Sequence, residues 1–454
     1  MPPNDQPSPG TPRFYLEKLL RGQGLVARVA RGTAIVFSIQ VAGLALTYVA
    51  QVVLARVLGA REYGVYRYAW SWINLLGVLA ALGFPTALQR FVPEYRTRGE
   101  PGLARGLLRG ARWTTFLASV LAAGIAALVF ERAAGTWLEP DQARALVLGS
   151  WIIPVVTALT LNTQIARSFH RMVAAFLPAQ LGRPVAGIAA AAILAAGIAA
   201  ATGTNALLLF GAGVAIVVLV QWAWVAAIVP PDVRRSRPRT AWREWVAVAL
   251  PLLLMTGFGL LLNQLGVLMV GSLLGPTEAG IFSAATQLAM LVSFFLTSVN
   301  NVVAPRISEL WHGGRKDELQ RLLSVVVHWI FWPSLACAAV LFLGRSWIMG
   351  LFGRDFAAGD GPTVLAILLL GHLVNAGAGS VGLIMNVTGH QNLNAVVYGS
   401  TAILNVVLNI VLLPPLGVVG GAIAMTGTMA LWNIVLVMIV SQKLRLHTTI
   451  LYPR

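Results

Sequence analysis

The chain has 454 residues, 57% of them hydrophobic and only 11% charged, with a mean hydropathy of +0.76. That balance excludes a soluble globular domain, in which roughly a quarter of residues are charged. The net charge of +17 does not mark a nucleic-acid binder, since the arginines gather at the ends of apolar runs and no basic face interleaves with aromatics.

Residues 1–32 read as a cytoplasmic N-terminal segment. Its first part, 1–12, is rich in Pro and polar residues and is expected to be disordered. The stretch 14–30 (FYLEKLLRGQGLVARVA) reads as a basic amphipathic helix on the cytoplasmic leaflet, a short solvated helix being the alternative. No small-residue cleavage site follows the first apolar run, so the first span is expected to be retained. Runs long enough to cross about 30 Å of hydrocarbon then predict a first lobe, 33–229, with spans at roughly 33–54, 66–86, 113–130, 146–166, 175–199 and 205–229. The segment 230–245 (PPDVRRSRPRTAWREW), opening on a proline pair and holding five arginines, reads as a basic cytoplasmic linker. A second lobe, 246–440, follows with spans at roughly 246–270, 280–303, 325–343, 363–385, 393–413 and 418–440, and 441–454 forms a tail. All twelve are expected to be helices, because backbone polar groups in hydrocarbon must bond within their own segment. Cys337, the single cysteine, lies in an apolar span and excludes an internal disulfide or a cysteine metal site.

The second lobe repeats the first. At an offset of 216, Leu58 and Gly59 map onto Leu274 and Gly275, Gly64 onto Gly280, and Ala69 onto Ala285. Further on, Leu103, Arg105, Leu107 and Trp113 map onto Leu319, Arg321, Leu323 and Trp329. Duplicated helix bundles are how many transporters place a site between two rocking lobes. The fold class is therefore all-α polytopic, with about twelve transmembrane helices in two pseudo-symmetric six-helix lobes. Of the 33 Lys and Arg residues, all but Arg56, Arg61, Arg67, Arg132, Arg144, Arg345 and Arg354 fall on one side of the spans. This bias predicts that both termini are cytoplasmic.

At 55–94 (ARVLGAREYGVYRYAWSWINLLGVLAALGFPTALQRFVPE) the chain resembles bacterial polysaccharide-biosynthesis flippases of the MOP superfamily, the Wzx-type exporters of lipid-linked oligosaccharides. The matching residues are Ala55-Arg56, Leu58-Gly59, Tyr63-Gly64, Tyr66, Gly83, Arg90 and Glu94. In the second lobe LLGPTEAGIFSAATQLA (273–289), Pro305 and LNVVLNIVLLPPLGVVGGAIA (404–424) add to the likeness. The resemblance implies a MATE-like fold without cofactor or metal, in the bacterial cytoplasmic membrane. It implies a polyprenyl-diphosphate-linked repeat unit of O-antigen, capsule or exopolysaccharide as cargo. Membrane lipids, and the glycan polymerase and glycosyltransferases of the same pathway, are its implied partners.

The residues themselves point the same way. Gly59 and Gly64 flank a tight external turn that glycine alone tolerates, and Gly275 and Gly280 serve the equivalent turn. Small residues such as AAAAILAAGIAAA (189–201) permit close helix contact, and Pro154, Pro178, Pro251 and Pro333 can kink spans. Acids are nearly absent from span interiors, where the polar groups are cationic or neutral. Arg67, Arg90 and Arg183, with Asn74, Asn162, Asn263, Gln264, Asn300, His372 and Asn375, are the candidate cavity lining for an anionic, hydroxylated cargo. His328 and Asn405 are further polar residues inside spans; Arg56 reads as an interfacial anchor, as does Arg90 in preference to its place in the cavity lining. Snorkelling to the surface is the competing account of the arginines, and packing that of the histidines.

Two other functions compete. A cation-coupled drug antiporter needs membrane-embedded acids, but Glu62 and Glu278 sit in loops. A glycan polymerase or ligase needs a large external loop, and 344–362, with Asp355 and Asp360, is short. No Ser/His/Asp set, phosphate-cradling glycine loop or metal-ligand spacing is present.

Overall fold

A computed structural model describes residues 25–451, so the expectations for 1–24 and for 452–454 lie outside the described residues. Ten helices among them are long and apolar enough to cross a membrane. Two of these, Leu25–Ala80 and Gln391–Ile439, are each two spans joined at a non-helical glycine, Gly59 and Gly417. Twelve spans result. The protein is a multi-pass membrane protein.

The first lobe holds spans one and two in Leu25–Ala80 and span three in Pro101–Ala133. Span four runs from Pro140–Gly149 through a 3-10 turn into Ile153–Ser168. Span five runs from Met172–Leu177 through a π turn into Arg183–Ala195, and span six is Gly203–Ile228. The second lobe holds Trp242–Leu273, Pro276–His312, Lys316–Leu343 and Gly361–Ala378 as spans seven to ten. Spans eleven and twelve share Gln391–Ile439.

Several boundaries differ from the sequence expectation: spans three, eight and nine are longer, at Pro101–Ala133, Pro276–His312 and Lys316–Leu343, and three further ends are set by breaks or caps. Span two starts directly after Gly59 and ends at Ala80, because Leu82 and Gly83 both take positive φ (51° and 73°) and break the helix. A separate amphipathic helix, Phe84–Thr97, follows and buries Phe84, Leu88, Phe91 and Tyr95. Span four begins at Pro140, where Glu139 and Gln142 form a capping box. Span ten ends at Ala378, since Gly379 at φ 75° breaks it from Val381–Val387.

Span three shows why these helices belong in lipid. Trp113, Leu117, Leu121, Ile125 and Leu128 recur along one face and are exposed, whereas Ala111, Thr115, Ser119, Ala123 and Ala126 form the buried face. Large apolar groups outward and small ones inward is an arrangement that hydrocarbon rewards and water penalises.

The repeat is written into the backbone. Gly59 (φ 72°, ψ 173°) and Gly275 (φ 95°, ψ −179°) share a conformation essentially restricted to glycine. Although no atom would obstruct a Cβ on Gly59, Gly59→Ala is expected to cost about 1–3 kcal/mol through backbone strain alone. Denaturation of the purified protein in detergent checks this.

Beyond these corners, spans two and eight cross. A Cβ on Gly64 would stand 1.7 Å from the Pro276 carbonyl oxygen, and one on Gly280 would stand 2.4 Å from that of Ala60. The two repeat-equivalent glycines thus touch each other's helices, which places the pseudo-twofold axis between them.

Candidate functional site

A cavity of about 170 Å³ lies where spans one, two, five and six of the first lobe meet span eight of the second. Arg67 and Arg183 both line it, with Gln51, Gln180 and Gln287 as amides and Tyr66, Trp70 and Phe210 as aromatics. No acid is among its lining residues. Among the described residues, neither arginine takes part in an ion pair.

Local sequence explains how Arg183 is presented. It follows the π turn Pro178–Gly182, midway along span five. Pro184 lacks the N–H that would close onto the Gln180 carbonyl, so the helix loosens there. Gly43 of span one lets that turn approach closely, since a Cβ would lie 2.6 Å from the Gln180 carbonyl oxygen. The guanidinium of Arg183 then stands 5.3 Å from the centroid of Trp70, whose ring is held edge-on to Phe210 at 4.9 Å. Stacking satisfies the face of the guanidinium and leaves its N–H edge for an anion.

Arg67 lies two turns inside the Gly59 corner. Its Nε donates to Ser283 Oγ at 2.6 Å, and the two residues are separated by 216 positions, one full repeat. A cation of one lobe is thereby aimed by the symmetry-equivalent residue of the other. Tyr63 donates to Gln51 Oε1 at 2.9 Å and accepts from Gln287 Nε2 at 3.0 Å, while Tyr48 donates to the Gln287 carbonyl. These bonds tie spans one and two to span eight, so opening the lobes must break them.

The seam is closed at the end that carries the Gly59 and Gly275 corners. Arg56 Nε donates to the Leu351 carbonyl at 2.6 Å, Gln142 Nε2 to that of Gly271 at 3.0 Å, and Tyr63 meets Phe356 at 5.7 Å. Toward the opposite end Thr297 and Asn301 of span eight are exposed, as is Asn263 within span seven.

Comparison with known proteins fits this architecture. The model of the family described as polysaccharide biosynthesis protein matches residues 29–311, more than half of the chain. The chain belongs to that family. The MatE family model also matches, over residues 251–411. A Staphylococcus aureus capsular polysaccharide biosynthesis protein is 24% identical over 185 residues, 40% of this chain and 46% of that protein. The chain therefore aligns with less than half of that relative's length. A probable low-salt glycan biosynthesis flippase of Haloferax volcanii is 22% identical over 405 residues, covering 87% of this chain and 80% of the relative. Among solved structures, an inward-facing MATE transporter of the MOP superfamily superposes with a TM-score of 0.71 at 12% identity, over 86% of this chain and 92% of that one. The lipid II flippase MurJ in an inward closed conformation gives 0.70 at 14% identity, over 90% and 88%. The protein thus has the MOP transporter fold.

The other predicted site residues scatter. Arg90 is exposed on the amphipathic helix, over the Phe91 ring at 5.3 Å, away from the cavity. Asn74 is half-buried on span two and is not among the cavity residues. Asn162 is buried but opens onto an outer hollow between spans three, four and six. In the second lobe, Asn263 bonds back to the Gly259 carbonyl, Gln264 and Asn375 are half-buried, and Asn300 accepts from Ser380 at 2.5 Å. His372 is buried with Nδ1 2.7 Å from Ser293 Oγ, and its Nε2 has no partner among the described residues. His328 is 2.7 Å from the Ser324 carbonyl, and Asn405 is spent on Thr428 and Asn409. Pro305 sits inside the unbroken helix of span eight.

Sequence reasoning passed over Gln51, Gln180, Gln287 and the aromatic wall. Three glutamines inside apolar spans were a readable signal, of the same kind as the asparagines. Trp70 and Phe210 were not, because aromatics in spans usually only pack. Among the described residues, no group of three or more His, Cys, Asp or Glu is placed to hold a metal.

Proposed function

We propose that the protein translocates a polyprenyl-diphosphate-linked oligosaccharide between leaflets by alternating access. The observation that carries this reading is the pair Arg67 and Arg183, without ion-pair partners, in an acid-free cavity between the lobes. Holding two cations there costs several kcal/mol unless an anion arrives. A diphosphate matches them, because guanidinium binds phosphate oxygens in bidentate fashion. Glutamine amides and the edges of Tyr66 and Trp70 suit sugar hydroxyls and ring faces. The cavity, at about 170 Å³, is below the roughly 300–1,000 Å³ of an ordinary ligand site. In this externally closed state it holds the diphosphate, and the glycan extends toward exposed Asn263, Thr297 and Asn301. The polyprenyl tail stays in the bilayer, where each CH₂ is worth about 0.8 kcal/mol.

The cytoplasmic membrane is the proposed location, with the arginine-rich loops and both termini in the cytoplasm. Single cysteines at Ser236 and Asp355, in a Cys337→Ser background, are expected to react with membrane-impermeant thiol reagents from opposite sides. Labelling of Ser236→Cys but not Asp355→Cys from outside intact cells would reverse the topology, and labelling of both would overturn the expectation of opposite sides.

Deletion of the protein is expected to strand lipid-linked repeat units on the inner leaflet and to remove surface glycan. Intact surface glycan in cells with no second flippase would sink the proposal. The MatE match favours one other reading, cation-coupled drug antiport. It predicts drug hypersensitivity of the same deletion strain with glycan unchanged.

A further inference from the structure

On the outer face of the first lobe, away from the inter-lobe cavity, two hollows join. One, about 580 Å³, is a largely apolar trough between spans three, four and six, walled by Phe116, Leu161, Leu219 and Trp222. The other, about 310 Å³, is lined by Arg105, Arg109, Arg112 and Arg234, with Val229 and Val233. Arg112 and Trp113 line both, so a cationic mouth opens into an apolar trough. Nothing lining either hollow lines the cavity that holds Arg67 and Arg183.

The arginines of the mouth are uncompensated. Arg112 buries its Nε and one terminal nitrogen with no hydrogen-bond partner among the described residues. Arg105 donates to the Ser236 carbonyl at 2.5 Å. No carboxylate pairs with Arg105, Arg109, Arg112 or Arg234 among the described residues, and Asp232, the linker's nearest acid, is exposed and in no ion pair. Trp113 and Trp222 flank the trough and are exposed, as expected at a membrane interface. The duplicated lobe provides an internal contrast. At the 216-residue offset Trp113 maps onto Trp329 and Arg105 onto Arg321, but Arg109 and Arg112 map onto Val325 and His328. The extra cations belong to the first lobe alone.

We infer that this is a docking site for one anionic glycerophospholipid of the leaflet facing the arginine-rich loops. Its phosphate sits among Arg109, Arg112 and Arg234, and one acyl chain lies in the trough. A soluble anion would use the mouth and leave the trough unused; a zwitterionic lipid would fill the trough and leave Arg112 unmatched. Because Val233 and Arg234 come from the inter-lobe segment, the lipid pins that segment to span three. The pinning extends the bond from Arg239 N to the Gly102 carbonyl (2.9 Å). The inference rests on the proposed sidedness but not on the cargo.

The test is native mass spectrometry of the full-length protein with phosphatidylglycerol, phosphatidylcholine or a polyprenyl phosphate added. One phosphatidylglycerol is expected to be retained in preference to phosphatidylcholine. Each arginine removed is expected to weaken it by about five-fold, since a basic residue at an anionic surface is worth that much. The variants are Arg109→Gln/Arg112→Gln and, should the buried arginine prove necessary for folding, Arg109→Gln/Arg234→Gln. Arg321→Gln, in the second lobe, is expected to leave retention unchanged. Equal retention of the two phospholipids, or undiminished phosphatidylglycerol in the double variants, overturns the inference. Displacement of phosphatidylglycerol by the polyprenyl phosphate does so too, making the groove a cargo site. None of these outcomes depends on glycan export, so failure here is separable from failure of the proposed transport.

Discussion

Arg183→Gln is expected to reduce surface glycan about ten- to hundred-fold in a deletion strain complemented with the variant. The estimate follows from the loss of one charge-assisted phosphate contact, worth about 1.5–3 kcal/mol. Lipid-linked repeat units should accumulate on the inner leaflet at the same time. Folding should survive, because glutamine fills most of the same space and removes an uncompensated charge. Arg183→Lys keeps the charge but not the planar stack on Trp70 at 5.3 Å, and is expected to fall between the two. Protein abundance measured in parallel separates a transport defect from a folding defect. Full surface glycan with Arg183→Gln at normal abundance would sink the assignment of the cavity.

The second large effect is expected at the crossing of spans two and eight. Gly64→Val would drive a side chain into the Pro276 carbonyl oxygen, 1.7 Å from where its Cβ must go. The obstruction is backbone, not a flexible side chain, so the helices must separate. Overpacking of this kind costs about 1–3 kcal/mol or more. It falls on the contact that closes the corner end of the seam, and export is therefore expected to drop to background. A cysteine pair replacing Arg56 and Leu351, which meet at 2.6 Å only through the arginine Nε and a backbone carbonyl, reports the closure in a Cys337→Ser background through a short bifunctional thiol reagent, since the length of the arginine side chain separates the backbones beyond direct disulfide reach. The reagent should bridge the pair in otherwise unaltered protein and fail to do so with Gly64→Val. Gly99→Ala, at a positive φ of 70° with no atom within 4 Å, serves as the comparison, and only modest strain is expected there. Unchanged crosslinking with Gly64→Val would show that the glycine crossing does not hold the lobes together.

The two results would test different links. The arginine lies on recognition, the glycine on the conformational cycle. A flippase requires both, because cargo affinity without lobe closure binds and does not move the glycolipid, whereas closure without a cationic cavity moves nothing.

The chain's own order of residues determined the membrane class, the twelve spans and the duplication. Hydropathy, glycine placement and arginine sidedness are properties of position along the chain, and the lipid solvent acts on them directly. Gly59 and Gly275 illustrate this: a shared offset in sequence became a shared backbone conformation. The span break at Gly379 was less legible, because a glycine inside an apolar run reads equally as packing or as a corner.

Tertiary structure alone decided which polar residues face one another. Arg67 and Arg183 share a cavity, while Asn162 faces the outer trough and Asn405 is consumed in a ladder with Asn409. In a soluble helix the apolar stripe reveals which face is inward. A membrane helix is apolar toward lipid and toward its neighbours alike, so its sequence records how deep a residue lies but not which way it turns. That rotation is set by contacts between spans, here by the close approach at Gly43, the π turn before Arg183 and the crossing at Gly64.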